Sequence, residues 1–177
     1  MLVGDQGWAT IAVNDSYRRA PFADCLYACD DQWWRVHYER VQSEYKGECW
    51  TQDEGAAKRY NINRIGSEYK EGLGVDGVIH QGGNSGYQAI NLAYLWGAKT
   101  IVLLGLDCSL SPKGDAHWFG QHGEGLTNHQ PFQLWQAKFP QLAVDLQAEG
   151  VRVINASRQT ALTCFERMTL EEAINVC

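Results

Sequence analysis

The chain has 177 residues, 45% of them hydrophobic and 20% charged, with a formal net charge of −6. Those values fit one ordinary globular domain, residues 1–177, able to bury a core without disulfides or a structural metal, and they exclude a disordered or low-complexity protein. The acidic balance argues against a partner nucleic acid held mainly through its phosphates, and no run of about 18 apolar residues is available to span a bilayer. No basic segment followed by an apolar core opens the chain, so it reads as a cytoplasmic protein.

Thr10-Ile11-Ala12-Val13 is a short apolar run stopped by Asn14-Asp15-Ser16, the pattern of a buried strand ending in a polar loop. Asp24 to Cys29 repeats that form and ends in Asp30-Asp31, either of which can cap a helix bearing Trp33, Trp34, Val36, His37 and Val41. The segment from Tyr45 to Gly77 is polar and broken by glycines, and predicts short strands near Cys49 to Thr51 and Tyr60 to Ile65 joined by loops. Val78-Ile79-His80 then predicts a strand, Gln81 to Gly86 a glycine-rich turn, and Tyr87 to Trp96 a helix that Gly97 terminates. Lys99 to Gly105 is apolar on both faces, as a central parallel strand is. A long polar loop, Asp107 to Gln130, leads to a helix over Pro131 to Glu149, a strand over Val151 to Asn155 and a last helix near Leu170 to Val176. Strand, helix and strand alternate as in a mostly parallel, doubly wound, Rossmann-like sheet.

The six cysteines, Cys25, Cys29, Cys49, Cys108, Cys164 and Cys177, form no CxxC pair and read as free thiols. Trp33, Trp34 and Trp118 could support an oligomer contact, and buried core aromatics account for them equally well.

The turn Gly82-Gly83-Asn84-Ser85-Gly86 opens a helix, so its backbone N–H groups and the helix dipole suit a phosphate or carboxylate. The alternative is a tight turn in which Asn84 or Ser85 simply caps the helix. The turn fits neither the GxGxxG nor the P-loop pattern, so no cofactor of those folds is implied. Asp107 follows the apolar strand, and Asn14 and Asp30 each follow another; open α/β sheets place ligand contacts at such strand ends, although each residue also suits a turn or cap. In the loop His117-Trp118-Phe119-Gly120-Gln121-His122-Gly123-Glu124, an imidazole near its ordinary pKa could deprotonate a hydroxyl, with His122 the first candidate and His117 the second. His117, His122, Glu124 and His129 match no standard zinc spacing, so no metal is expected.

Ile11-Ala12-Val13-Asn14, Tyr27-Ala28-Cys29-Asp30, Asn84-Ser85-Gly86 through Gly105-Leu106-Asp107, and His117 to His122 together resemble the ordered segments of bacterial lipooligosaccharide sialyltransferases. They are similar also to hydroxymethylpterin pyrophosphokinase-like proteins and to many uncharacterised phage and prophage proteins. The most specific part is the pattern Ser85-Gly86, Ala89, Ala93, Gly97, Ile101, Leu103, Gly105, Asp107. The resemblance implies a nucleotide sugar lying across the strand ends, contacted by Asn14 and Ser85, with His122 or His117 as base for inverting transfer to a hydroxyl acceptor. Asp30 stands where those transferases usually carry a nucleotide-contacting asparagine. Val153-Ile154-Asn155-Ala156-Ser157 resembles the family's last strand and turn, where Asn155 and Ser157 approach the nucleotide or serve as ordinary turn residues. The family opens with a strand and a Gly-x-Gly-Pro-Ser type turn, and Met1-Leu2-Val3-Gly4 reads as lying after both. Two other readings stand beside the transferase: a non-catalytic phage accessory that binds a nucleotide or a host protein, and pyrophosphoryl transfer, which alone calls for Mg2+, with Asp107, Asp30 and Asp115 as its carboxylates.

Overall fold

The computed structural model describes residues 7–116, 118, 120, 126 and 131–176. Its first ladder is parallel throughout, in the order β1 (Ile11–Val13), β2 (Cys25–Tyr27), β3 (Glu48–Thr51) and β4 (Asn63–Arg64). β2 is buried at every position, which is why its sequence shows no polar alternation. A second parallel pair joins β5 (Gly66–Glu68) to β6 (Val78–His80), and a third ladder runs β7 (Thr100–Leu103), β8 (Arg152–Asn155), β9 (Glu166–Arg167), again parallel. The molecule is thus one mixed α/β domain of parallel strands, Rossmann-like as the alternation of elements predicts. The strands fall into three ladders rather than one. The first two meet where the Ile65 N–H donates to the Thr51 carbonyl between β4 and β5.

What unites the first and third ladders is the helix α3 (Ser85–Leu95), which links β6 to β7. Its Ala89 and Leu92 pack with Ile11, Val13, Tyr27 and Ile79, while Tyr87 and Ile90 join Ile101, Leu103, Phe139 and Leu142. A helix enclosed on both flanks must be apolar nearly all round. Its two buried polar residues are fully engaged. Gln88 accepts from the Tyr27 hydroxyl at 2.6 Å and donates to the Gln81 carbonyl at 3.1 Å. Asn91 accepts from the Gly74 and His80 N–H groups at 2.7 and 3.2 Å. The helix closes at Gly97 as predicted: Gly97 N–H donates to Tyr94 and Ala98 N–H to Ala93, the paired bonds of a Schellman end.

Two elements differ from the sequence reading. The helix expected over 131–149 is two, α4 (Phe132–Gln136) and α5 (Phe139–Ala148), because Pro140 in the first turn of α5 has no N–H to continue the ladder from α4. The segment read as strands and loops contains α2 (Glu54–Tyr60), capped by Asp53, whose carboxylate accepts from the Ala56 N–H at 2.7 Å. Seven residues are too short to display a periodic face.

Trp33 and Trp34 lie on α1 (Asp31–Glu44) and are buried, so the oligomer role considered for them is replaced by a core one. The described cysteines are free thiols. Burial pushes Cys25 and Cys29 well up and Cys49 and Cys108 up to about 11, which keeps them protonated at neutral pH. The last helix, α6 (Leu170–Asn175), starts on a capping box between Thr169 and Glu172. Among the described residues no helix is long and apolar enough to cross a membrane.

Candidate functional site

Because all the ladders are parallel, the loops that follow the strands collect at sheet edges of the same sense, where α/β folds place ligands. Three contacts draw those loops together around the start of α3. The Cys29 thiol, just past β2, lies 3.0 Å from the Ser85 hydroxyl. A Cβ on Gly86 would stand 2.6 Å from Leu106 Cδ1, so the start of α3 lies directly against the turn after β7. Leu106 N–H in turn donates to the Ser157 hydroxyl, 2.9 Å away, just past β8. Asp30, Gly83 to Gly86, Asp107, Asn155 and Ser157 are therefore neighbours in one region. Asn14 joins them at the end of β1: Val13 is in register with Tyr27, and Asn14 leaves the strand with a left-handed φ of 49°. Asparagine tolerates that conformation better than most residues.

The glycine turn is built as an anion cradle would be. Gly82 and Gly83 have φ of 54° and 78°, which turns the chain sharply from β6 into α3. The Asn84 side chain caps the helix by accepting from Gly86 N–H at 2.8 Å and Tyr87 N–H at 3.1 Å. The N–H groups of Gly83 and Ser85 meet no acceptor among the described residues. Lys138 Nζ and Trp135 Nε1 stand 3.5 and 3.7 Å from the place a Gly83 Cβ would fill. A turn with two uncommitted N–H donors, beside an ammonium and an indole N–H, favours negative charge. Glu71, 3.8 Å from Lys138, is the anion now nearest that ammonium.

Sequence reading overlooked Trp135 and Lys138. Their three-residue spacing puts them on one side of the chain at the end of α4, but nothing in the sequence ties them to a turn some fifty residues earlier.

The remaining candidates divide. Asp30 is exposed, its backbone carbonyl accepts from Trp33 and Trp34 N–H, its side chain makes no cap bond, and its carboxylate lies against the Cys29 thiol, whose pKa burial and this carboxylate together raise. Asp107 is half-buried; desolvation holds its carboxyl above the usual carboxylate range, partly offset by Arg167. Asn155 and Ser157, in contrast, brace strand ends. Asn155 donates to Thr160 Oγ1 at 3.2 Å and accepts from Ser157 N–H at 3.0 Å, and Thr160 donates to the Leu106 carbonyl at 2.8 Å. These are the turn roles given as their alternative. Asp115, the third carboxylate of the magnesium reading, is exposed, and its backbone carbonyl accepts from the Ser111 N–H.

His117 and His122, with Glu124 and His129, lie outside the described residues. Two described residues of the same stretch lie on the β1 side of the molecule. Arg18 and Arg19 sit 5.4 and 4.6 Å from the Trp118 ring, and Leu126 packs on the cluster that holds Ala12 and Tyr17. The stretch that leaves β7 and returns to α4 thus reaches the flank of β1. Neither a family model, nor a curated protein, nor a solved structure matches the chain.

Proposed function

We propose that this region binds a nucleotide sugar and that the protein is a sialyltransferase-like glycosyltransferase of the cytoplasm, transferring the sugar with inversion to a hydroxyl acceptor. The observation that carries the reading is the pair of uncommitted N–H groups at Gly83 and Ser85 beside Lys138 and Trp135. They suit the donor's phosphate, and as the sugar departs they would stabilise the charge that grows on the leaving oxygen. Ser85 and Asn14 are the contacts that the family resemblance assigns to the donor, and Asp30 would meet the nucleoside from the end of β2. His122, or else His117, takes the acceptor proton, a role worth about 10²–10⁴-fold in rate.

The test is titration calorimetry of the whole chain with CMP, UMP, GMP, AMP and the common nucleotide sugars. One nucleotide should bind selectively, and Lys138→Ala should weaken it by about tenfold, the effect of losing one charge-assisted contact of about 1.4 kcal/mol. Absence of binding by any of them would remove the transferase reading. Selective binding with no sugar transfer, unaltered by His122→Ala, would favour the accessory protein instead. Dependence of turnover on Mg2+ would favour pyrophosphoryl transfer.

A further inference from the structure

A polar cavity lies away from the glycine turn, between the 3-10 turn Asn14–Arg18 and the later half of α1. It encloses about 340 Å³ and is lined by Tyr17, Arg18, Arg19, Arg40, Glu44 and Trp118. Arg40 stands nine residues after Asp31, roughly 13 Å along the helix axis from the strand-end region at 1.5 Å per residue. Three guanidinium groups face one carboxylate there, in a chain whose net charge is −6.

Two of those guanidinium groups are already matched. Arg18 lies 3.6 Å from the buried Asp15 carboxylate, and Arg40 donates to Glu44 at 2.9 Å. Arg19 has no carboxylate partner among the described residues and lies over the Trp118 ring. Just beneath the floor of the cavity lies a second uncommitted donor. Tyr17 is 1% exposed, packed edge-on against Trp33 and Tyr45, and its hydroxyl finds no hydrogen-bond partner among the described residues. Burial raises its pKa, so the hydroxyl keeps its proton at neutral pH and has it to donate. A buried hydroxyl left unpaired is costly, and buried polar atoms in folded proteins are nearly always satisfied. An acceptor would take its proton, and the cations around it favour an acceptor that is an anion.

We propose that this cavity is a binding site for the phosphate group of a small phosphate monoester, gripped by the Arg19 guanidinium and receiving a hydrogen bond from the Tyr17 hydroxyl. A guanidinium presents its N–H groups as a planar fork that matches two phosphate oxygens at once, which leaves a third oxygen for the tyrosine. Glu44 and the buried Asp15 limit the positive charge, so the site fits one phosphate rather than a polyphosphate. The half-exposed Trp118 gives the organic part of the ligand an apolar surface at the rim. The site stands whether or not the glycine turn binds a nucleotide.

Calorimetric titration of the whole chain with glycerol phosphate and with inorganic phosphate tests it, using Arg19→Met, Tyr17→Phe and, as a control at the other region, Lys138→Ala. Saturable binding at or below about 1 mM is expected. Arg19→Met should weaken it about tenfold or more and Tyr17→Phe about three- to tenfold, while Lys138→Ala weakens only any phosphate binding at the glycine turn and leaves a saturable site that still depends on Arg19. Tighter binding of glycerol phosphate marks an ester as the ligand; equal binding marks the free anion, and both fit a phosphate site. Without ligand, Tyr17→Phe should raise Tm by about 2–4 °C, because it deletes an unpaired buried hydroxyl. No saturation below about 10 mM overturns the proposal. So does binding that Lys138→Ala abolishes but Arg19→Met leaves intact, or binding that Arg19→Met weakens and Tyr17→Phe does not touch. A lower Tm for ligand-free Tyr17→Phe also overturns it, since the hydroxyl would then already have its partner.

Discussion

Two cores of the molecule, one around β7 and β8 and one on the face of β1 and β2 turned away from α3, are built from different materials. On the β7 and β8 side the core is aliphatic and phenylalanine-rich, with Ile101, Leu103, Phe139, Leu142, Leu146, Val153 and Phe165 in one cluster. On the face of β1 and β2 that carries Ala12 and Leu26, away from α3, it is a set of large rings, Tyr17, Trp33, Trp34 and Tyr45, set edge to face. Three of those rings are also tied by polar atoms: Trp33 donates to Asp15, Trp34 to the Ala28 carbonyl and Tyr45 to the Ala23 carbonyl. The strand ends differ in the opposite sense. Past β7 and β8, Asn155, Ser157 and Thr160 spend their hydrogen bonds on the Leu106 turn and on one another, whereas past β1 the Asn14 amide makes no hydrogen bond among the described residues. The aliphatic flank relies on volume and closes its loops, while the aromatic flank carries polar groups into the interior and leaves the Tyr17 hydroxyl without a partner among the described residues.

Substitutions at the two flanks can break that contrast. The largest effect should come from Leu146→Ala, which empties a fully buried position and should cost about 2–5 kcal/mol by urea denaturation. An effect near zero would mean that the aliphatic flank is loosely packed. Asn155→Ala should cost about 1–3 kcal/mol, since the Ser157 N–H loses its acceptor inside the protein, and it should leave nucleotide affinity unaltered. Asn14→Ala should behave in reverse. It should cost only about 1 kcal/mol, from the left-handed φ, while Asn14→Gly should recover that loss, and both should weaken the nucleotide. Loss of affinity in Asn155→Ala without loss of stability would put the ligand on the β8 side and reverse the contrast.

The smallest effect is a pH dependence at Asp107. Burial raises its carboxyl pKa above the unfolded value, so the folded chain holds the proton to higher pH than the unfolded chain does. Its contribution favours folding most below the ordinary aspartate pKa of 3.8 and is lost as pH rises through the higher folded value. Asp107→Asn removes that titration, so at neutral pH it should equal or slightly exceed the unaltered chain in stability, and its stability should fall more steeply on acidification. The comparison of urea midpoints between pH 3 and 7, taken as roughly the acid window of a carboxylate, reads the sign directly.

The alternation of elements was legible from local pattern alone. Apolar runs ended by Asn14, Asp30 and Gly105 marked three strands, and the face of Ile90, Ala93 and Tyr94 with Gly97 after it marked α3, because propensity, periodicity and capping act over a few residues. The order Gly83-Asn84-Ser85 was equally legible as a turn, and Asn84 proved to be the cap. The break at Pro140 was visible in the sequence and passed over, since the apolar spacing on either side reads as continuous. Short α2 could not be seen, because a helix that brief takes its stability from packing against its neighbours rather than from its own pattern.

What the tertiary structure alone decided is which polar residues have partners. Asn14, Asn84 and Asn155 look alike in sequence, each ending or following a strand. Only the fold shows that one caps a helix, one ties two strand ends together and one keeps its amide uncommitted among the described residues. The same holds for Lys138 beside Gly83 and for Tyr17 beneath Arg19, pairs brought together by long-range packing or by a turn whose burial no local pattern encodes. Hydrogen bonding and charge act over a few ångströms of space, and the chain alone reports distance along the backbone; the site becomes readable only where the two are no longer the same.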